Sequence, residues 1–406
     1  MTVRVCHIIN GLDVGGAEMM LYKLLKSSTV EQLEASVISL LETGPIADLI
    51  TSLDLPVTSL ALARRSMIFG RGVPTPKTVW KLGRAIASAR PDLLQGWMYH
   101  GNLAATLGAV ISGRRYPVVW NVRHSVYDLG KEKSMTAKLI RLGRRLSSRP
   151  NAIIYNAKVS AEQHEALGYD PGKTVIIPNG FDCDHFKPDA AKRGKLRAEL
   201  GLTEGTSIVG MVARDHPQKD SFNLLRAIAL VIERGSPVHL AIAGASFDDH
   251  NRRVTGRIRE LGIGDHVSLL GPRSDIADIM AGFDVVALPS AWGEGFPNVL
   301  GEAMACGVPC AATDVGDAAW IIDVHGRVVP PGDAQALAMA IDQLISLPRE
   351  ERRQIGMAAR RRILDHFSLP KIVQAYGDLY ERIVAEKPAI DKSRSTSEEL
   401  PPKRAM

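Results

Sequence analysis

IPNGFDCDHFKP (residues 177–188) interrupts the rhythm of this chain, and SIVGMVAR (207–214) restarts it. The first stretch is rich in turn formers, with two prolines and a glycine; the second is an apolar run that reads as a fresh strand. Upstream, VRVCHIIN, ASVISL, DLLQGW, PVVWNV and AIIYNA read as strands, separated by helix-length segments such as AEMMLYKLLKSS, VWKLGRAIASAR and NLAATLGAVISG. Downstream, FNLLRAIALVIERG reads as a helix, and HLAIAG, VSLLG, DVVALPS and PCAATD as strands. Short apolar strands alternating with crossover-length helices build a parallel sheet, so the fold class is α/β. The interruption then divides it into two Rossmann-like halves rather than one extended sheet. KIVQAYGDLYERIVAEK (371–387) patterns as an amphipathic helix, and the polar, proline-bearing stretch 388–406 is expected to be disordered. The expected division is 1–180, 181–367, a helix over 368–387 and a tail over 388–406.

Composition agrees with two domains. A chain of 406 residues exceeds one ordinary core, and 45% hydrophobic with 23% charged residues is a globular composition. Aromatics at 5% argue against a large aromatic binding surface. MTVRVCHIIN lacks the apolar core and cleavage site of a signal peptide, and no run reaches the ~18 apolar residues of a membrane span. Four cysteines are too few for a disulfide scaffold. Cys306 and Cys310 have no His or Cys cluster to complete a zinc site, so buried thiols in a reducing cytoplasm are expected. Net charge is +6, unevenly spread: residues 1–180 hold 22 Lys and Arg against 13 Asp and Glu, the rest 28 against 31. A basic first half suits an anionic partner.

Three segments carry candidate chemistry. GLDVGGAEMM (11–20) follows the first strand and opens a helix, where Gly15 and Gly16 let backbone approach a phosphate or sugar. Its spacing is not the dinucleotide G-x-G-x-x-G, and a ligand-free tight turn explains it equally well. In VARDHPQKD (212–220), Arg214 and Lys219 lie at the carboxyl edge of a sheet, suited to phosphate oxygens, although two solvated loop cations fit too. ALPSAWGEGFPNVLGEAMACGVP (287–309) reads as strand, loop, helix and turn, with helix onset near Pro297 and a stop at Gly307. Glu294 precedes the helix N-terminus and Glu302 lies inside it, one turn beyond Asn298. Free N–H groups at such a start suit phosphate or sugar oxygens, and each carboxylate can accept from vicinal hydroxyls. A dipole partner for Glu294 and a solvated face for Glu302 are the plainer alternatives. The small residues Gly301, Ala303, Ala305 and Gly307 signal close packing or close ligand approach.

The spacing E-x7-E at Glu294 and Glu302, with GFP between and EAMACGVP after, resembles the signature of family 4 retaining glycosyltransferases of GT-B fold. Arg214 and Lys219, GGAE at Gly15–Glu18 and IPNGFD at Ile177–Asp182 match the same family in order, from Val3 to about Lys387. The resemblance implies two Rossmann-like domains facing across a cleft, with a C-terminal helix returning to the first. It implies a UDP- or GDP-type nucleotide-sugar donor, no cofactor and no metal. Glu302 would hold the ribose, Arg214 and Lys219 the diphosphate. Glu294 and the backbone of Gly295, Phe296, Pro297 and Asn298 would hold the donor sugar, approached by Gly15 and Gly16 from the first domain. The loop GPRSDI (271–276), with Arg273, falls where such proteins contact the base. His124 matches a family histidine near the reacting carbon, and His100 also points to the cleft edge. The implied chemistry is transfer with retention, the departing diphosphate helping to deprotonate the incoming hydroxyl on the same face, so positioning and electrostatics dominate.

Asp182-Cys183-Asp184 spells D-x-D, a metal motif in another transferase fold, but in the linker Asp182 reads as structural. KEKSMTAKLIRLGRRLSSR (131–149) places Lys138, Arg141, Arg144 and Arg145 beside Leu139, Ile140, Leu142 and Leu146 at helical spacing. With the apolar tip of RRSMIFGRG (64–72), this suggests peripheral contact with an anionic membrane, on the inner face of a plasma membrane. The expected acceptor is a glycan or lipid-linked hydroxyl, in envelope or surface polysaccharide assembly. Rival readings are a nucleotide-sugar 2-epimerase or glucan synthase of the same fold, and a nucleic-acid binder using the basic half. No zinc-finger spacing or RNA-binding aromatic motif supports the last, so nucleic acid is not an expected partner.

Overall fold

The computed structural model describes residues 2–28, 33–62, 75–114 and 116–386. Strands β1 (Val3–Ile9), β2 (Leu33–Ser39), β3 (Val57–Ser59), β4 (Leu93–Trp97), β5 (Val118–Val122), β6 (Ala152–Tyr155) and β7 (Thr174–Ile176) form one sheet, ordered β3-β2-β1-β4-β5-β6-β7. Its pairings are parallel throughout. Helices α1 (Gly16–Ser27), α2 (Pro45–Thr51), α3 (Pro76–Ala89), α4 (Met98–Ile111), α5 (Ser134–Leu146) and α6 (Lys158–Ala166) connect these strands.

The second sheet contains β8 (Ser207–Val212), β9 (Val238–Ala243), β10 (Val267–Gly271), β11 (Val285–Leu288), β12 (Cys310–Thr313) and β13 (Gly326–Val329), ordered β10-β9-β8-β11-β12-β13 and again parallel. Its helices are α7 (Ala190–Glu199), α8 (Ser221–Glu233), α9 (Arg252–Glu260), α10 (Ile276–Gly282), α11 (Asn298–Ala305), α12 (Ala318–Ile322), α13 (Ala334–Ile345) and α14 (Arg349–His366). The ten strands read from sequence are all present. The three that escaped, β3, β7 and β13, are edge strands of three or four residues, only partly buried, and lack the continuous apolar run of a central strand.

The chain crosses between the halves twice, and the two crossings pair. Phe181 N–H donates to Phe367 O at 2.9 Å, and Leu369 N–H to Phe181 O at 2.8 Å. Helix α15 (Leu369–Ala385) then returns to the first sheet, where Ile372, Tyr376, Leu379, Tyr380 and Ile383 complete the core beside β1 and β2. Its Tyr376 stacks on Trp97, ring centroids 6.5 Å apart, and accepts Asn121 Nδ2 at 2.8 Å; Tyr380 donates to Gln95. Hydrophobic burial thus ties the last helix to the first domain, as expected of the fold.

The four cysteines are free and buried, and burial pushes the Cys306 thiol up to about 12. In the linker, Asp182 Oδ1 accepts the N–H groups of Asp184 and His185 at 3.1 and 3.0 Å, which is a turn-closing role. Among the described residues no helix is long and apolar enough to cross a membrane. Residues 64–72 and 388–406 lie outside the described residues.

Candidate active site

Helix α11 organises the site. Proline at 297 sets the entry, Gly307 closes the helix at φ +72°, and the span matches the sequence reading to within a residue. Its first turn and the loop just ahead of it offer unpaired donors: among the described residues, the N–H groups of Gly295, Phe296, Asn298 and Val299 find no acceptor. The positive end of the helix and these free donors form a place for anionic or hydroxyl oxygens.

Glu294 sits just ahead of this turn and is only 6% exposed. Its Oε1 accepts from Lys219 Nζ and from Ser290 Oγ, both at 2.5 Å. Its backbone carbonyl accepts from Tyr127 OH of the first half. Lys219 ends a short 3-10 turn, Pro217–Lys219, just after β8. The ammonium expected to meet a diphosphate is therefore held at the carboxylate expected to meet the sugar, on one spot after two strand ends.

Glu302 differs in kind. It is half-buried, and no hydrogen bond or ion pair engages its carboxylate among the described residues. Burial raises its carboxyl above the usual range, and Lys23 of α1, on the other half, partly offsets this. A half-buried carboxylate without a protein partner is left to water or to a ligand that supplies donors. Asn298 lies between the two glutamates and accepts Asn179 Nδ2 at 2.5 Å; Asn179 in turn accepts from Arg123, whose guanidinium is pulled down by burial.

The small residues of α11 have a different purpose from ligand approach. A Cβ on Gly301 would overlap the ring of Phe181, and Ala303 and Ala305 are fully buried in the second-domain core. Close packing of the crossover on α11 explains them. Phe296 likewise spends its ring on the core, near Phe181, Trp320 and Phe367, leaving only its backbone to the cleft.

The other candidates scatter. Arg214 is exposed and engages no partner among the described residues. Gly16 is exposed, with open space where a Cβ would stand, whereas Gly15 lies against the carboxylate of Glu18. Arg273 is committed elsewhere: its guanidinium holds Asp275 at 2.7 Å and Glu199 at 2.6 Å, both of which push it further up. That side chain faces α7, so only the backbone of its loop is left for a base. His124 follows β5, with Nδ1 3.2 Å from Tyr99 OH and Nε2 3.3 Å from Glu132 Oε1. His100 lies in the first turn of α4; its Nε2 is buried without a partner, and burial lowers the ring to about 4.

Two contributors had no motif to announce them. Asp317, 4% exposed, caps the N-terminus of α6 across the two halves, accepting Lys158 N–H at 2.6 Å and Val159 N–H at 3.1 Å. Its own N–H donates to Gly295 O at 2.8 Å. Ser125 is the second: a Cβ on Gly295 would stand 2.7 Å from its Oγ, so the halves approach closely enough there to demand glycine. Pairings across more than a hundred residues leave no local pattern in the sequence.

Residues 14–185 match the family described as Glycosyltransferase Family 4, and residues 192–362 that described as Glycosyl transferases group 1. Over 194 residues the chain is 34% identical to the D-inositol 3-phosphate glycosyltransferase of Rhodococcus erythropolis, covering 46% of this chain and 43% of that one. Over 349 residues it is 26% identical to the MMP alpha-(1->4)-mannosyltransferase of Mycolicibacterium hassiacum, covering 81% and 80%. The match thus spans under half the length of the first relative and four fifths of the second. In solved structures, HepE of Anabaena in complex with UDP superposes with a TM-score of 0.79 at 24% identity, over 93% of this chain and all of that one. With both halves matched in sequence and the whole architecture matched in structure, the chain belongs to the family 4 glycosyltransferases and has the GT-B fold.

Proposed function

We propose that the protein transfers a sugar from a UDP- or GDP-type donor to a hydroxyl of a glycan or lipid-linked acceptor, with retention at the anomeric carbon. The observation that carries this reading is the contrast between the two glutamates. Glu302 has a half-buried carboxylate with no protein partner among the described residues, suited to the two hydroxyls of a ribose, while Glu294 is held by Lys219 and Ser290 beside free N–H groups at the helix start, suited to a sugar diphosphate. Between them the helix start spans one ligand. Relatives named as glycosyltransferases, and a fold neighbour solved with UDP, support a nucleotide-sugar donor.

Chemically, the residues on this site position and stabilise. Lys219, Arg214 and the α11 N-terminus neutralise charge on a departing diphosphate, and His124 stands on the opposite wall. Retention, metal independence and a role in envelope or surface polysaccharide assembly rest on the family resemblance. The test is a thermal-shift screen of nucleoside diphosphates and nucleotide sugars, followed by transfer or hydrolysis of the best binder with the product anomer read by NMR. An α-linked product from an α-linked donor, unchanged in EDTA, is expected. An isomerised free sugar made without acceptor would instead indicate an epimerase.

Contact with an anionic membrane is part of the proposal, in narrower form than the sequence suggested. Leu139 and Ile140 of α5 are buried in the core, so the apolar face is not free for lipid. Lys138, Arg141, Arg144 and Arg145 are exposed and form no ion pair among the described residues. The supported contact is electrostatic, and it should weaken with salt. Sedimentation with anionic vesicles at low salt checks it.

A further inference from the structure

The wall opposite α11 contains a hydrogen-bond chain whose direction can be worked out from its end. His164 of α6 is fully buried, and its Nδ1 lies 2.7 Å from the carbonyl of Ser160. A carbonyl only accepts, so Nδ1 carries the proton. Burial holds the ring at about 4, well below its usual value, so near neutrality His164 is uncharged and its Nε2 is a bare acceptor. Tyr99 OH lies 2.9 Å from that Nε2 and therefore donates to it. The Tyr99 oxygen, its proton used, can only accept from the next group, His124 Nδ1 at 3.2 Å. His124 Nδ1 must then be the N–H.

At the other end, His124 Nε2 lies 3.3 Å from Glu132 Oε1. Two lone pairs would repel at that separation, so one proton lies between them. The backbone of His124 is fixed by the same helix turn, because Ser160 Oγ donates to its carbonyl at 2.6 Å. The His164 end is enclosed: the rings of Tyr155 and Tyr169 pack on His164, with centroids at 5.4 and 5.0 Å. Which nitrogen of a histidine bears the proton is set by the bond that the other makes.

We propose that Tyr99 and His164 are positioning residues that fix one proton of His124 on Nδ1, so that the second proton, shared by Nε2 and Glu132, is the one that meets a sugar hydroxyl in the cleft. The effect on transfer rests on the proposed function, whereas the state of the ring does not. Replacing His164 by leucine removes the acceptor for Tyr99. The tyrosine proton is then released to donate to His124 Nδ1, which gives up its own proton to solvent, and the ring keeps only the proton that Nε2 shares with Glu132. Glutamine at 164 restores an acceptor and with it the original direction.

The test is nitrogen-15 NMR of histidine-labelled full-length wild type, His164→Leu and His164→Gln, with donor turnover measured on the same samples. A proton on Nδ1 of His124 in the wild type, lost in His164→Leu and retained in His164→Gln, is expected. With it should come at least a tenfold fall in kcat for His164→Leu, with donor KM within twofold, and recovery in His164→Gln. A bare Nδ1 in wild-type His124, or one signature common to all three proteins, overturns the proposal. If His164→Leu fails to fold, the wild-type signature alone decides. A correct signature with no transferase activity in any sample would count against the proposed function and leave the relay standing.

Discussion

Glu294 and Glu302 lie eight positions apart on one short stretch and meet opposite fates. Glu294 is held through Oε1 by Lys219 and Ser290, whereas Glu302 is half-buried and its carboxylate has no protein partner among the described residues. Removing the ammonium by Lys219→Ala should lower kcat about a hundredfold, the usual magnitude for one electrostatic contact in a preorganised site, with circular dichroism unchanged. Glu302 predicts a trade between stability and function. Its carboxyl is raised in the folded state, so folding is penalised once pH exceeds the value at which the unfolded carboxyl ionises, near 4.5. Below that pH both states are protonated and the penalty vanishes; it is complete above the raised folded value. Glu302→Gln should therefore raise the melting temperature at pH 7 and lose this advantage toward pH 4, as differential scanning fluorimetry across pH would show.

Helix α11 shows how far a local pattern reaches. Its onset at Pro297, its stop at Gly307 and the candidate carboxylates were all legible, because caps and turns are written in neighbouring residues. The purpose of its small residues was not. Gly301 is small because Phe181, from the crossover 120 positions earlier, lies on it. Arg273 was unreadable for the same reason: Glu199 and Asp275 decide where it points, and only folding brings Glu199 near. Overpacking makes this testable. Gly301→Leu should destabilise by about 1–3 kcal/mol in urea unfolding, and pairing it with Phe181→Ala should recover part of that loss, since the two side chains compete for one space. Equal destabilisation in the single and double variants would separate Gly301 from Phe181.

For the molecule as a whole, the alternation of strands and helices made two parallel sheets legible, and only the short edge strands were invisible. How the halves meet was not, because it depends on side chains reaching across: Tyr127 to Glu294, Asp317 to the N-terminus of α6, and Asn179 to Asn298. Asp317→Ala deprives α6 of its cap and should widen the average separation of the domains, raising the radius of gyration in small-angle scattering without donor. A closed profile identical to the wild type would assign closure to the other contacts. The separate roles of the two glutamates are tested most directly by calorimetric titration of UDP and GDP into the wild type, Glu302→Ala and Glu294→Ala. One nucleotide should bind the wild type, about tenfold more weakly to Glu302→Ala, and nearly unchanged to Glu294→Ala. Equal affinity in wild type and Glu302→Ala, or no binding of either nucleotide to the wild type, would contradict it.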